Sequence, residues 1–275
     1  MIKQNTDELR ETSRRMRIEI LKMLNRAASG HTGGSLSATD IMAALYFRVM
    51  NHDPRNPSWP ERDRFVLSKG HGAPALYTAL AMSGYFDIAE LATLRQVGSL
   101  LQGHPDMRKT RGADASSGSL GQGLSIANGI ALGLRLDGNS ANVYVMLGDG
   151  ELQEGQVWEA AMSAAHYRLG KIIAIIDKNG LQIDGEVRKV MGVEPVDAKW
   201  RAFGWDVVEI DGHNFDEIVP ALESPRGKAL QDRPTMIIAR TVKGKGVSFF
   251  ENQARYHGVA PSNDELQRAL KELGE

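Results

Sequence analysis

The 275-residue sequence contains no cysteine, which excludes a disulfide frame, a thiolate nucleophile and any cysteine-ligated zinc or iron–sulfur centre. It also has almost no net charge, with 33 Lys+Arg against 34 Asp+Glu and a formal charge of −1. Without a basic field, or a Lys/Arg run interleaved with aromatics, nothing recruits a phosphate backbone, and nucleic acid is not expected as a partner. No apolar stretch approaches the ~18–20 residues that span a bilayer. The start, MIKQNTDELRETSRR, is polar and charged and does not read as a targeting segment. The expectation is therefore a cytoplasmic protein with no membrane partner. What the chain has in excess is glycine: 29 residues, about a tenth of the total, against a usual share of ~7%. A content of 42% hydrophobic residues fits one large or two small globular domains.

Apolar positions at helical spacing over residues 7–28 predict an amphipathic helix ending at Ser29-Gly30. A Gly-rich turn, His31-Thr32-Gly33-Gly34, is followed by a predicted helix from Ser37 to Met50. The proline-rich stretch NHDPRNPSWPERD is a loop, and residues 64–68 form a short buried strand. From Ala141 onward the pattern alternates: strands at 142–147, 171–177, 205–210 and 235–241, with helices at 153–168 and 214–223 between them. Short β-branched runs separated by helices are the mark of βαβ units. The predicted fold class is α/β, one doubly wound parallel sheet flanked by helices, with an irregular tail after about residue 246.

Five of the seven histidines have a glycine neighbour: His31, His71, His104, His213 and His257. Chance would give roughly one or two. A glycine-flanked imidazole projects from a loop whose backbone lets a ligand come close, so several such loops can line a pocket. The alternative for each is a surface turn with an incidental polar residue. His213, in Asp211-Gly-His-Asn214, fits that alternative, because Asp and Asn there serve as turn and N-cap residues. His52 and His166 read as loop and helix-surface residues.

The most informative segment is Val143-Tyr-Val-Met-Leu-Gly-Asp-Gly150, with Asn179 thirty residues beyond Asp149. Each polar residue follows a buried strand, and one helix joins the two strands. A right-handed crossover then brings Asp149 and Asn179 to the same sheet edge, facing one point. A carboxylate and an amide oxygen suit Mg²⁺ or Ca²⁺, which takes its remaining ligands from diphosphate and water. Gly148 and Gly150 would let the backbone approach that diphosphate, beside the N–H groups of the next helix. Taken alone, the GDG triplet reads more readily as a tight strand–helix turn with a polar cap.

With its second half at Asn179, the pattern resembles the thiamine diphosphate motif, and its surroundings are similar to the transketolase family. Ser29-Gly-His31, Asn56 to Gly72, Gly103-His-Pro105, Gly118-Ser-Leu-Gly-Gln-Gly123, Gly148-Asp-Gly-Glu-Leu-Gln-Glu-Gly155 and Ile183-Asp-Gly185 resemble transketolase segments in transketolase order, over nearly the whole chain. The resemblance implies thiamine diphosphate and Mg²⁺, with Ca²⁺ or Mn²⁺ as substitutes. Asp149 and Asn179 would bind the metal by side chain and Leu181 by its carbonyl oxygen. Gly148 and Gly150 would lie by the diphosphate, and Gly118 and Leu120 would contact the aminopyrimidine through their backbones. His31, His71, His104 and His257 would line the substrate channel, with His71 and His257 also touching the cofactor, and Glu154 would sit at the subunit interface. Ser119 stands where many transketolases have proline, and the turn Arg255-Tyr-His-Gly258 is similar to a Trp-His-Gly turn in some transketolases while other members space their histidines differently.

In transketolases the glutamate that engages the aminopyrimidine lies in a separate pyrimidine-binding domain. The expectation here is a single diphosphate-binding domain over 1–275, with the pyrimidine-binding and C-terminal domains on a partner chain. The implied protein is the N-terminal subunit of a split transketolase, most simply α2β2, moving a two-carbon ketol unit from a ketose phosphate to an aldose phosphate. A half-site of another thiamine enzyme, such as a deoxyxylulose-phosphate synthase, and a non-catalytic binding remnant are the alternatives.

Overall fold

The computed structural model describes residues 3–227 and 232–275. Its centre is a five-stranded, all-parallel sheet: β1 Arg64–Leu67, β2 Val143–Gly148, β3 Ile172–Lys178, β6 Asp206–Asp211 and β7 Thr235–Arg240, in the order β1-β2-β3-β7-β6. A two-residue hairpin, β4 Leu181–Gln182 with β5 Gly185–Glu186, follows β3. Side chains alternate along each central strand. Val143, Val145 and Leu147 enter one apolar core, and Tyr144 and Met146 enter the other. Both faces are covered, which is why these strands read as continuous apolar runs.

One face carries α1 Thr6–Ala27, α2 Thr32–Ala44, α3 Ala73–Ser83, α8 Phe215–Glu223 and α9 Asn263–Glu272. The other carries α4 Gly123–Leu136, α5 Gly155–His166 and α7 Val196–Ala202. A short α6, Val187–Val190, follows the hairpin. The predicted doubly wound α/β architecture is the observed one. The first helix opens with a capping box, Asn5 Oδ1 accepting the amides of Asp7 and Glu8 while Glu8 accepts that of Asn5 at 2.7 Å.

Two boundaries differ from the sequence expectation. Helix α2 starts at Thr32, not Ser37, because Gly33 and Gly34 provide close approach and not a turn. A Cβ on Gly33 would lie 2.8 Å from Lys243 Cγ, and one on Gly34 would lie 3.3 Å from His71 Nε2. Every residue of α2 is buried, and that packing outweighs the low helix propensity of two glycines. The tail after residue 246 is also not irregular throughout. It ends in α9, started by a Ser262–Glu265 capping box and packed through Ala269, Leu270 and Leu273.

Candidate functional site

Every strand of the parallel sheet ends at the same edge, and each C-terminal end delivers polar residues there. After β1 come Ser68, Lys69 and His71; after β2, Asp149; after β3, Asn179; after β6, His213; and after β7, Thr241 and Lys243. This is the place where open parallel sheets bind ligands. Asp149 and Asn179 meet as the crossover predicts: Gly180 N–H donates to Asp149 Oδ2 at 2.5 Å and Gly150 N–H to Oδ1 at 2.8 Å. Asn179 Oδ1 accepts the amide of Leu181 at 3.1 Å. Asp149, Asn179 and Leu181 line a cavity of about 130 Å³ together with His71, Leu120, Gly148, Gly150, Glu154, Lys243 and His257.

Four of the five glycine-flanked histidines form one cluster. Ring centroids lie 5.2 Å apart for His31 and His71, 5.4 Å for His31 and His257, 5.1 Å for His71 and His257, and 6.4 Å for His31 and His104. Gly118 closes against this cluster at φ +148°, where an added Cβ would stand 3.1 Å from the ring of His104. Burial is the leading reason that all four imidazoles are harder to protonate. His31 falls to about 4, helped by Arg95, and His257 to about 3, helped by Lys243. His71 is pushed well down, with Lys69 adding to burial, and His104 is lowered by burial and then Arg95. All four are neutral at physiological pH, able to give or take a proton. His31 Nδ1 is buried without a hydrogen-bond partner among the described residues.

Several residues here had no place in the sequence reading. Asp177, fully buried at the end of β3, receives hydrogen bonds from Lys69, Thr241, Ser37 at 2.6 Å and Asn179 at 3.2 Å. Despite its burial these partners, Lys69 foremost, hold its carboxyl below the usual range. Asp149 is different. Burial and the nearby Asp177 charge raise it to about 6, and the amides of Gly180 and Gly150 only partly offset them. The ammonium of Lys243 lies 3.2 Å from the Leu181 carbonyl and 3.0 Å from His257 Nδ1. Burial and Lys69 lower its pKa to about 8, against the pull of Asp177 and Asp149. An isolated lysine carries no sequence signature, so neither Lys69 nor Lys243 stood out.

The donor set suits a hard cation shared with a ligand. Among the described residues no group of three or more His, Asp or Glu could hold a metal unaided. What converges is one carboxylate short of positive charge, one amide oxygen and one carbonyl, beside glycines that leave room for an anion.

His52 lies in a loop, as expected, but it is buried, with Nδ1 3.0 Å from Tyr85 Oη and Nε2 2.8 Å from the Tyr46 carbonyl. His213 does sit in a turn where Asp211 accepts its amide at 2.9 Å and Asn214 caps α8. Its imidazole is not incidental, because Nδ1 lies 2.6 Å from Asp40 and Nε2 accepts Val242 N–H at 2.8 Å. His166 is exposed at the end of α5, as expected.

Residues 9–275 match the family model described as transketolase, thiamine diphosphate binding domain. The chain belongs to the transketolase family. It is 51% identical over 253 residues to the 6-deoxy-6-sulfo-D-fructose transketolase subunit SqwG of Clostridium sp. (strain MSTE9), covering 92% of this chain and 91% of that one. It is 43% identical over 270 residues to an apulose-4-phosphate transketolase subunit of Actinobacillus succinogenes, covering 97% and 96%. The crystal structure of the Campylobacter jejuni transketolase superposes with a TM-score of 0.91 at 34% identity, over 98% of this chain and 43% of that one. Against such longer transketolases the chain spans less than half their length.

Proposed function

We propose that this chain is the N-terminal, diphosphate-binding subunit of a split transketolase. It would act with a C-terminal subunit that carries the catalytic glutamate, as α2β2, to transfer a two-carbon ketol group from a ketose phosphate to an aldose phosphate. The observation that carries this reading is that Asp149, Asn179 and Leu181 line one cavity with His71 and His257, whose rings also meet that of His31. The partner is supported by the names of the relatives that the chain spans nearly end to end, which are subunits.

When bound, thiamine diphosphate would supply the carbanion chemistry that accepts and releases the two-carbon unit. The protein's part is placement and proton control. Asp149, Asn179 and the Leu181 carbonyl would hold Mg²⁺, or Ca²⁺ or Mn²⁺ in its place. Lys243, which now donates to that carbonyl, would release it to the metal and turn its ammonium to a diphosphate oxygen. Gly148 and Gly150 leave backbone room for the diphosphate, and Gly118 and Leu120 offer peptide groups to the aminopyrimidine. His31, His71, His104 and His257 would exchange protons with the sugar hydroxyls and carbonyl oxygen. Glu154 is exposed at the N-cap of α5, and its side chain makes no hydrogen bond among the described residues, which leaves it free for the partner's interface. The relatives' named substrates carry a sulfonate or a phosphate, and an anionic sugar is proposed here too.

Calorimetric titration of the chain with thiamine diphosphate tests the cofactor assignment. Saturable binding that needs Mg²⁺, Ca²⁺ or Mn²⁺ is the expected result. Absence of binding with all three metals, with and without the partner chain, would overturn it.

A further inference from the structure

Glu151 lies two residues past Asp149 and is buried. Its carboxylate accepts from two other loops and from the end of β2. Oε1 takes Ser68 Oγ–H at 2.5 Å and Gly121 N–H at 2.8 Å, and Oε2 takes Gly148 N–H at 2.9 Å. Ser68 in turn accepts Gly123 N–H at 3.2 Å. A buried carboxylate is an acceptor only, and here both oxygens are engaged by donors that the chain brings from 83, 30 and 3 residues away. The loops joined are the one that opens toward His71, the one that carries Gly118 and Leu120, and the one that carries Asp149 and Gly150. The Gly121 peptide is also packed against Glu154, where an added Cβ would stand 2.7 Å from the glutamate's own.

We infer that Glu151 is a positioning residue that locks the loop for the aminopyrimidine to the loop for the metal and diphosphate, so that both ends of the cofactor meet one rigid frame. This inference rests on the reading of the site as one for thiamine diphosphate. A ligand that touches both loops gains from their fixed spacing, because the ordering is complete before it binds. A ligand that touches only the metal loop does not. Glutamine at this position keeps the shape but replaces one acceptor oxygen by an amide donor. That NH₂ must face either Gly148 N–H or Gly121 N–H, and the junction opens.

The test compares two probes on the full chain by calorimetry, with Mg²⁺ present: thiamine diphosphate, which reaches both loops, and inorganic diphosphate, which reaches one. E151Q is expected to weaken thiamine diphosphate binding by about tenfold or more and inorganic diphosphate by less than about threefold. Equal loss of both would make Glu151 a support of the metal loop alone and overturn the inference, as would no loss of either. Should E151Q fail to fold by circular dichroism, S68A decides. It removes one donor and is expected to weaken thiamine diphosphate about threefold with inorganic diphosphate unchanged, and equal or absent effects would overturn the inference. Wild-type protein that binds thiamine diphosphate no tighter than inorganic diphosphate would instead defeat the cofactor assignment itself.

Discussion

The ammonium of Lys243 lies 3.0 Å from Nδ1 of His257. An ammonium only donates, so Nδ1 of His257 is the acceptor and its proton sits on Nε2. A lysine from the loop after β7 thus fixes the tautomer of a histidine in the substrate cluster and, at 3.2 Å from the Leu181 carbonyl, stands beside the proposed metal position.

Replacing Lys243 by methionine is expected to weaken metal-dependent thiamine diphosphate binding by about tenfold or more, through loss of a charge-assisted bond to the diphosphate. The same substitution has a signature in the unliganded chain. The pKa of Lys243 is lowered to about 8 in the folded protein, below its unfolded value, so unfolded chains hold more protons between those limits. Lys243 therefore makes stability rise with pH above about 8. Urea denaturation should show that rise in the wild type and a smaller one in K243M.

Metal-dependent binding should decline on acidification. The carboxyl of Asp149 is raised to about 6, and only its ionised form ligates a hard cation. Cofactor affinity is expected to fall as pH drops through about 6, by up to ~10-fold per unit. Asp149→Asn should lose most of the affinity at pH 7 and flatten the profile. Titrations at pH 5, 6 and 7 measure both.

The histidine cluster predicts acid lability of the unliganded fold. The folded-state pKa values of His31 and His257, about 4 and about 3, lie below their unfolded values. Unfolded chains therefore bind protons that folded ones do not as pH falls below ~6.5, and stability drops until the folded values are passed. A His31→Asn, His257→Asn double variant should lose less stability between pH 6.5 and 4.5 than the wild type in parallel urea titrations.

What the sequence made legible was the part whose partners are set by topology. Asp149 and Asn179 follow adjacent parallel strands, so a single right-handed crossover suffices to bring them together. His31, His71, His104 and His257 were marked by their glycines. The role of the His213 imidazole and the burial of the His52 loop position have no sequence signal, because their partners come from far along the chain: Asp40 is 173 residues from His213, and Tyr85 is 33 from His52. The start of α2 was missed for a related reason. Gly33 and Gly34 look like a turn until Lys243, supplied by the loop after β7, is seen packed against Gly33, and His71 and Lys69 against Gly34. Glu151 stood inside a recognised motif, but its role depends on Ser68 and Gly121, which only the folded chain brings to it.

The Asp40 network gives a stability prediction separate from cofactor binding. Its carboxylate lies 2.6 Å from Arg17 and 2.6 Å from His213. Burial opposes its ionisation, but Arg17 foremost and His213 after it outweigh that and hold the carboxyl well below the ordinary range. Asp40→Ala leaves the Arg17 guanidinium buried and unpaired, and should cost about 3–5 kcal/mol in urea denaturation at pH 7. Because the folded pKa is depressed, the stabilisation is present at neutral pH and fades as pH falls below ~3.9.

In the proposed function this chain supplies half of a catalytic site and a partner chain the other half. The direct measurement is ketol transfer by the purified chain alone, by its candidate C-terminal partner alone, and by the two mixed, each with thiamine diphosphate and Mg²⁺. Turnover in the mixture only, rising to a plateau at an equimolar ratio and lost with D149A, is predicted. Turnover by this chain alone, or a mixture that works as well with D149A when Mg²⁺ is limiting, would contradict the account.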